Sequence, residues 1–497
     1  MALKSMETSP TDCLSRYFSP FRQQIVGNET PIQTPYGTYP LLYADWTASG
    51  RLYRPIEKRL SEELGTFMAN THTDTSFTGK LMTDAYHWAR HIVKQHVKAG
   101  DDYILIQAGY GMTGAVNKLQ RILGLSVHER YRDQVRNSLE RIPLVVVSRM
   151  EHHSNHISWL ETIADLELIP FDAQGMPDLN AYEDLLKRHK GRPIYLAMTA
   201  CSNVTGLVPP TEDFVRLTHR YGGRAFIDYA CSAPYTDIDL STGEEAPDAI
   251  SFSPHKFLGG PGSGGILIMK KSLYRKHIPD HPGGGTVAWT DPWNGAVYVD
   301  DPEIREDGGT PGFVQMIRTA LSILLKEEMG TDYIRRREHE ILERLIPGLA
   351  SIPGIHVLEQ RHKERFGVVS ILTDRLPYGL VTRLLNDLGG IQSRGGCSCA
   401  GTYGHYLLGL DKSVSEQWKN DVLQGKTADK PGWTRISIHP TTTDEEVEKI
   451  LEVMSFIMKK GKSLAEKDYV KKGNGYYHKD FDYEKQARHI LQAVFNI

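Results

Sequence analysis

The feature that most constrains the fold of this chain is a succession of short, unbroken apolar runs rich in β-branched residues. They are Tyr103–Gln107, Leu144–Ser148, Ile194–Met198, Ala225–Ile227, Ala249–Phe252 and Ile266–Met269. A strand with one wet face alternates apolar and polar residues, whereas a strand covered on both faces does not. Segments with helical spacing, such as Val116–Leu123, Leu179–Arg188 and Thr211–His219, stand between several of these runs. The pattern predicts an α/β fold: a mostly parallel sheet with helices on both faces, binding its ligand beyond the strand ends.

A chain of 497 residues is too long for one compact core, so at least two domains are expected. Residues 1–38 read as a polar arm, 39–315 as a large domain and 461–497 as a C-terminal extension. Residues 316–460 read as a smaller α+β domain, joined through a long helix expected from about 313 to 348. That smaller unit rests on the run Gly367–Leu372, a helix at Leu380–Leu388, and the alternating Thr434–Ile438. Thr443 and Glu446 then form a capping signal ahead of an amphipathic helix that should end near 459. A net charge of −3 argues against a general polyanion binder, so no nucleic-acid partner is expected. No apolar run approaches the ~18 residues of a membrane span. Residues 1–24 lack the continuous apolar core of a signal peptide. Five cysteines, Cys13, Cys201, Cys231, Cys397 and Cys399, suit a reducing compartment, and a cytoplasmic location is expected.

Candidate chemistry gathers at the strand ends. Lys256 follows the run Ala249–Phe252 and precedes a glycine-rich turn, Gly259–Gly265. Burial there would depress its pKa and suit it to Schiff-base chemistry; a surface lysine in a glycine loop is the alternative. Gly109–Asn117 follows a strand and opens a helix, so its amides and the Thr113 hydroxyl suit a phosphate, or a plain capped turn. His152, after Leu144–Ser148, could stack on a flat ring or move protons. Its neighbour His153 raises the question of a metal, but two adjacent histidines rarely share an ion without further ligands, and none is expected. Asn203 could donate to a ring oxygen. Asp228, at the next strand end, needs a cationic partner: a protonated pyridine nitrogen, or a structural ion pair. Phosphate cradle, stacking ring, oxygen donor, pyridinium partner and amine together match one cofactor, pyridoxal 5′-phosphate (PLP).

From about residue 40 to 455 the chain resembles the class V (fold-type I) PLP-dependent enzymes, within them the group II cysteine desulfurase and selenocysteine lyase branch. The resemblance lies in Gly111-Met-Thr113, Glu151-His-His-Ser-Asn155, Ser202-Asn203, Asp228, Ser253-Pro-His-Lys256, Gly283-Gly-Gly-Thr286, Arg394-Gly-Gly-Cys-Ser-Cys-Ala400 and Arg435-Ile-Ser-Ile438. It implies a large domain with a mostly parallel seven-stranded sheet and a smaller α+β C-terminal domain. It places the PLP ring under His152, the ring nitrogen on Asp228, and the 3′-oxygen on Asn203. Gly111, Met112, Thr113, Ser253 and His255 would hold the phosphate. Thr286 would reach the partner's phosphate in a homodimer with shared active sites. Arg435, with Arg394 and Asn155, would bind a small amino-acid substrate. The catalytic set would be Lys256, Cys399 and His152. The implied reaction takes sulfur from L-cysteine onto Cys399 as a persulfide, releases alanine, and passes the sulfur to an acceptor, possible acceptors including another protein.

Two residues depart from the pattern: Cys231 stands where a glutamine is usual, and Cys397 where a histidine is usual. Residues 404–430 are an insertion able to reshape the substrate entrance. Other class V chemistry (an epimerase, an aminotransferase, or a C–S lyase with Cys399 a bystander) and a non-catalytic sulfur scaffold are the competing readings.

Overall fold

A computed structural model of the chain describes residues 14–425, 430–473 and 475–496. The apolar runs become strands of one seven-stranded sheet: β1 (Tyr103–Gln107), β2 (Leu144–Val147), β3 (Asp165–Leu168), β4 (Ile194–Thr199), β5 (Arg224–Asp228), β6 (Ala249–Phe252) and β7 (Ile266–Lys270). The spatial order is β1-β7-β6-β5-β4-β2-β3. Only β7 runs antiparallel to its neighbours; the other pairs are parallel. Successive side chains leave a strand on opposite faces. Accordingly Leu105, Val146, Leu196, Ile227, Ile250 and Ile268 join one core. Ile104, Val145, Val147, Ala197, Phe226 and Leu267 join the core on the other face. Edge strand β3 is half-buried throughout, so it lacks the continuous apolar run that reveals the others.

Helices α1 (Phe77–His96), α2 (Met112–Ile122) and α3 (Phe313–Met329) cover the sheet. The long helix expected over 313–348 is two, α3 and α4 (Thr331–Ala350). They break at Gly330, whose φ of 74° lies in the left-handed region open to glycine. Beyond it, β8 (Ile355–Val357), β9 (Val368–Thr373), β10 (Arg394–Gly396) and β11 (Trp433–Ser437) form an antiparallel sheet in the order β8-β9-β11-β10. It packs on α4, on α5 (Tyr378–Gly389) and on a C-terminal helix through Leu345, Ile371, Leu384, Ile436 and Ile450.

That C-terminal helix, Asp444–Asp468, starts on the expected capping box, with Thr443 and Glu446 bonded reciprocally. It continues past 459 and is followed by a hairpin, Tyr469–Lys472 with Gly475–His478, and a helix, Tyr483–Phe495. The aromatic tail folds back on α5: Tyr469 and Tyr483 each donate to a carboxylate oxygen of the buried Asp387 at 2.6 Å. The described part of the N-terminal arm contributes a helix, Leu14–Gln23, that buries Phe18 in the large core. Leu42–Tyr43 then pairs with Ile391–Gln392, and Asp45 bridges to Ser437. This segment brings the N-terminal chain across the small sheet to the edge of the large one.

Candidate active site

Six parallel strands put their C-terminal ends on one rim of the large sheet. A cleft of about 600 Å³ opens there, lined by the loops after β1, β2, β4, β5 and β6. Its far wall is built from Thr47, Ala48, Arg394, Ser398, Cys399 and Arg435.

Lys256 ends a short helical turn after β6 and projects, half-buried, into the cleft. Burial pushes its ammonium pKa down, and the nearby Arg435 guanidinium pushes the same way. The turn is fixed from outside: Gly50 donates its amide to the His255 carbonyl. A Cβ at Gly50 would stand 1.9 Å from the Phe257 carbonyl oxygen, so only glycine fits.

Asp228 closes β5, buried, with a carboxylate oxygen accepting the Ala230 amide at 2.8 Å. Burial raises its pKa to about 6. This carboxylate is a cost to the protein on its own and suits a cationic ligand. The sign follows from proton linkage: between about pH 4 and 6 the folded chain holds a proton that the unfolded chain has lost. Stability therefore falls as pH rises through that window, by roughly 3 kcal/mol for a shift of about two pKa units. Asp228→Asn should make the cofactor-free protein more stable than wild type at pH 8 but not at pH 4, read from thermal melts at both. No gain at pH 8 would mean the charge is compensated without a ligand.

His152 accepts the Ser154 amide on Nδ1 at 3.1 Å, which puts the ring proton on Nε2. Burial, then Lys256, lowers its pKa to about 4, so at neutral pH it is an uncharged flat ring. Glu151 beneath it is wholly enclosed, its carboxylate held by Ser148, Asn155 and the Thr199 amide. Asn155, expected at the substrate, does not line the cleft. Its amide is spent between Glu151 and the Trp159 indole.

The residues expected to cradle a phosphate lie together. Gly111 lies at the N-cap of α2 with no side-chain cap. A Cβ there would meet His255 Cε1 at 2.9 Å and Ser253 Oγ at 3.1 Å. Met112 donates its amide to Ser253 Oγ at 2.8 Å, and Thr113 Oγ1 meets Ser154 Oγ at 2.6 Å. His255 Nδ1 donates to the Tyr110 carbonyl at 3.0 Å. Hydroxyls and uncapped amides thus converge on one helix N-terminus. Thr286 is absent from this cleft; it is buried and donates to the Gly283 carbonyl at 2.6 Å.

Asn203 donates Nδ2 to the Ser398 carbonyl at 2.7 Å, while its Oδ1 has no partner. Arg435 Nε is likewise buried and unpartnered. Cys231, at the position where glutamine is usual, is buried on the cleft floor beside Cys201. Burial pushes the Cys201 thiol up.

The residue most plainly missed by sequence reading is Asp45. It takes Arg435 Nη2 on Oδ1 at 2.7 Å and Arg394 Nη2 on Oδ2 at 2.8 Å. One carboxylate between two guanidiniums leaves a net positive charge at the rim, suited to a substrate carboxylate. The only signal was an acid at the end of the apolar run Leu41–Ala44. His153, Trp433 and Ser398 were missed as well. His153 donates its amide to the Cys399 carbonyl at 2.7 Å and accepts the Gly401 amide on Nε2 at 2.9 Å. Trp433 donates Nε1 to Ser398 Oγ at 3.1 Å. They fix the turn that carries Cys399, whose thiol is exposed at the cleft rim.

Residues 42–450 match the family model "Aminotransferase class-V". The chain belongs to the class-V aminotransferase family. It is a PLP-dependent enzyme, and the cleft fits that cofactor. A buried carboxylate, a neutral flat ring, a helix N-terminus whose N-cap glycine brings no side chain, and a half-buried lysine face one space. Similar curated proteins include a probable cysteine desulfurase of Halalkalibacterium halodurans, 28% identical over 366 residues, 73% of this chain and 84% of that one. A probable cysteine desulfurase of Staphylococcus aureus is 29% identical over 367 residues, 72% of this chain and 83% of that one. Among solved structures, an apo cysteine desulfurase from Thermococcus onnurineus superposes with TM-score 0.69 at 24% identity, covering 84% of this chain and 95% of that one. A cysteine desulfurase of Escherichia coli gives TM-score 0.69 at 21% identity, over 88% and 98%. The two structures establish the shared fold, that of fold-type I PLP enzymes.

Proposed function

We propose that this chain is a cysteine desulfurase, taking sulfur from L-cysteine onto Cys399. The observation that carries the reading is the position of Cys399: a thiol held on a pinned turn at the rim of the cleft into which Lys256 projects. Bound PLP supplies an aldehyde for the substrate amine and a ring that accepts the electrons released at Cα. Asp228 would pair with the ring nitrogen, His152 would cover the ring face, and Asn203 would face the 3′-oxygen. Gly111, Met112, Thr113, Ser253 and His255 would hold the phosphate. Arg435, with Arg394 beside it, would bind the substrate carboxylate. Lys256 Nζ, disfavoured as an ammonium by burial, takes the Cα proton. Cys399 thiolate then attacks the substrate sulfur. An S–S bond forms as the Cβ–S bond breaks; Cβ keeps that electron pair and takes a proton, Lys256 returns a proton to Cα, and alanine leaves.

Cys399→Ser should bind PLP with wild-type absorbance and form no persulfide, with alanine release from cysteine falling at least about 100-fold. The check is a visible spectrum together with alanine and sulfide assays. Undiminished sulfide release would instead assign the chain to C–S lyase chemistry with Cys399 a bystander.

The working form is read as a homodimer. Gly283, Gly284 and Gly285 are exposed ahead of Thr286, whose side chain serves no part of its own cleft. Exposed Trp293 follows a few residues later in the chain, and Gly285 lies against His72. A partner's phosphate end would meet Thr286 there. Sedimentation should give about twice the 56.0 kDa chain mass, and a monomer in the active fractions would overturn the dimer. Four free cysteines among the described residues accord with a cytoplasmic setting, and no helix among them is long and apolar enough to cross a membrane.

A further inference from the structure

The turn that carries Cys399 presents two thiols, and only one of them reaches the cofactor cleft. Cys399 lines the cofactor cleft and Cys397 does not. Both line a second cavity of about 560 Å³ on the outer side of the turn. Tyr378, Leu408, Leu410, Trp418, Val422 and Trp433 supply its apolar walls, four of them from the 404–430 insertion's helical segments and their connection. Arg394, Lys419 and Lys430 also line it, and among the described residues no acidic side chain does. The cavity's charge therefore favours an anion such as a persulfide.

Residues 397–400 form a tight turn, closed by the Ala400 amide on the Cys397 carbonyl at 3.0 Å. Ser398 and Cys399 both take left-handed backbone conformations, with φ of 52° and 55°. Each costs about 1–2 kcal/mol for a residue with a Cβ, and such strain persists only where the surroundings impose it. Here they do. Asn203 takes the Ser398 carbonyl, His153 takes that of Cys399, and the Trp433 indole takes the Ser398 hydroxyl. A turn of this kind keeps its end Cα atoms within about 7 Å. Cys397 and Cys399 are its first and third residues, two Cα–Cα steps of about 3.8 Å apart along the chain, so their Cα atoms lie within about 7.6 Å of each other.

We propose that Cys397 is a second sulfur station. The Cys397 thiolate attacks the outer sulfur of the Cys399 persulfide. A new S–S bond forms at Cys397, the old one breaks, and Cys399 departs as thiolate, ready for another substrate. The exchange conserves sulfur and electrons, so it needs no oxidant or reductant. It moves the transferable sulfur out of the cofactor cleft into the outer cavity, where an acceptor thiol collects it without displacing substrate. This rests on the desulfurase reading.

The test follows the sulfur by mass. The reduced holoenzyme is mixed with L-cysteine, quenched with iodoacetamide at increasing times, and the tryptic peptide Gly395–Lys412 is fragmented. Wild type should show the extra sulfur first on Cys399, then on Cys397. Cys397→Ser should hold it on Cys399, and Cys399→Ser should show none on Cys397. A wild-type label confined to Cys399 would overturn the relay while leaving the desulfurase standing. So would a Cys397–Cys399 disulfide with sulfide released, or a label on Cys397 in Cys399→Ser. A wild-type protein that labels neither thiol would overturn the desulfurase reading itself, and the relay with it.

Discussion

Lys256→Ala is expected to yield a folded protein with no covalently held cofactor and activity reduced by roughly four orders of magnitude or more. In the proposed reaction Lys256 has two tasks, attachment and proton transfer at Cα, and proton transfer alone contributes about 10²–10⁴. The two can be separated. Attachment is read from visible absorbance and from borohydride reduction followed by peptide mass; proton transfer is read from exchange of the substrate's α-hydrogen with solvent. The fold should tolerate the change, because the neighbouring backbone, not the amine, makes the contacts with Gly50 and Ser253. A coloured Lys256→Ala protein with a reducible adduct on another lysine would remove the basis for the whole site.

Asp45→Ala should combine a stability loss with a binding loss. Arg435 is 3% exposed, and Asp45 is its one carboxylate partner in the described structure. Breaking a buried pair from one side costs about 3–5 kcal/mol when the remaining charge is trapped. Asp45 keeps slight solvent contact, so roughly 2–4 kcal/mol is expected, seen as a lowered melting temperature. Arg394 would lose the same anchor. Misdirecting both guanidiniums should raise the KM for cysteine by roughly 10- to 100-fold, with a smaller effect on kcat. Asp45→Asn, which keeps the shape and removes the charge, should fall between. The opposite outcome is equally readable: a lower KM in either variant would make Asp45 a competitor of the substrate carboxylate instead of its organiser.

The two arginines show where sequence reading stops. Their place in Arg394-Gly-Gly-Cys-Ser-Cys-Ala400 and Arg435-Ile-Ser-Ile438 made both visible as expected site residues. The carboxylate that orients them lies 349 residues from one and 390 from the other, and only folding brings it there. Asn155 is the converse. It sits in a legible motif, yet the local turn sends its amide down to Glu151 and Trp159, away from the cleft. The helix expected across 313–348 failed for a local reason: helical periodicity continues through Gly330, while the backbone does not. Edge strand β3 was invisible because a half-buried strand lacks the unbroken apolar run of its neighbours.

What the sequence by itself determined was the large sheet and which side chains gather at its rim. Burial on both faces demands continuous apolar runs, and parallel strands must place their following loops on one side. Lys256, Asp228, His152 and the Gly111–Thr113 cradle could then be read in order along the chain. Only the tertiary structure decided the opposite wall: Asp45 between two arginines, His153 and Trp433 gripping a strained turn, and two thiols on that turn between two cavities. Those contacts join segments hundreds of residues apart through single hydrogen bonds and ion pairs, and such interactions leave no period, run or motif in a linear sequence.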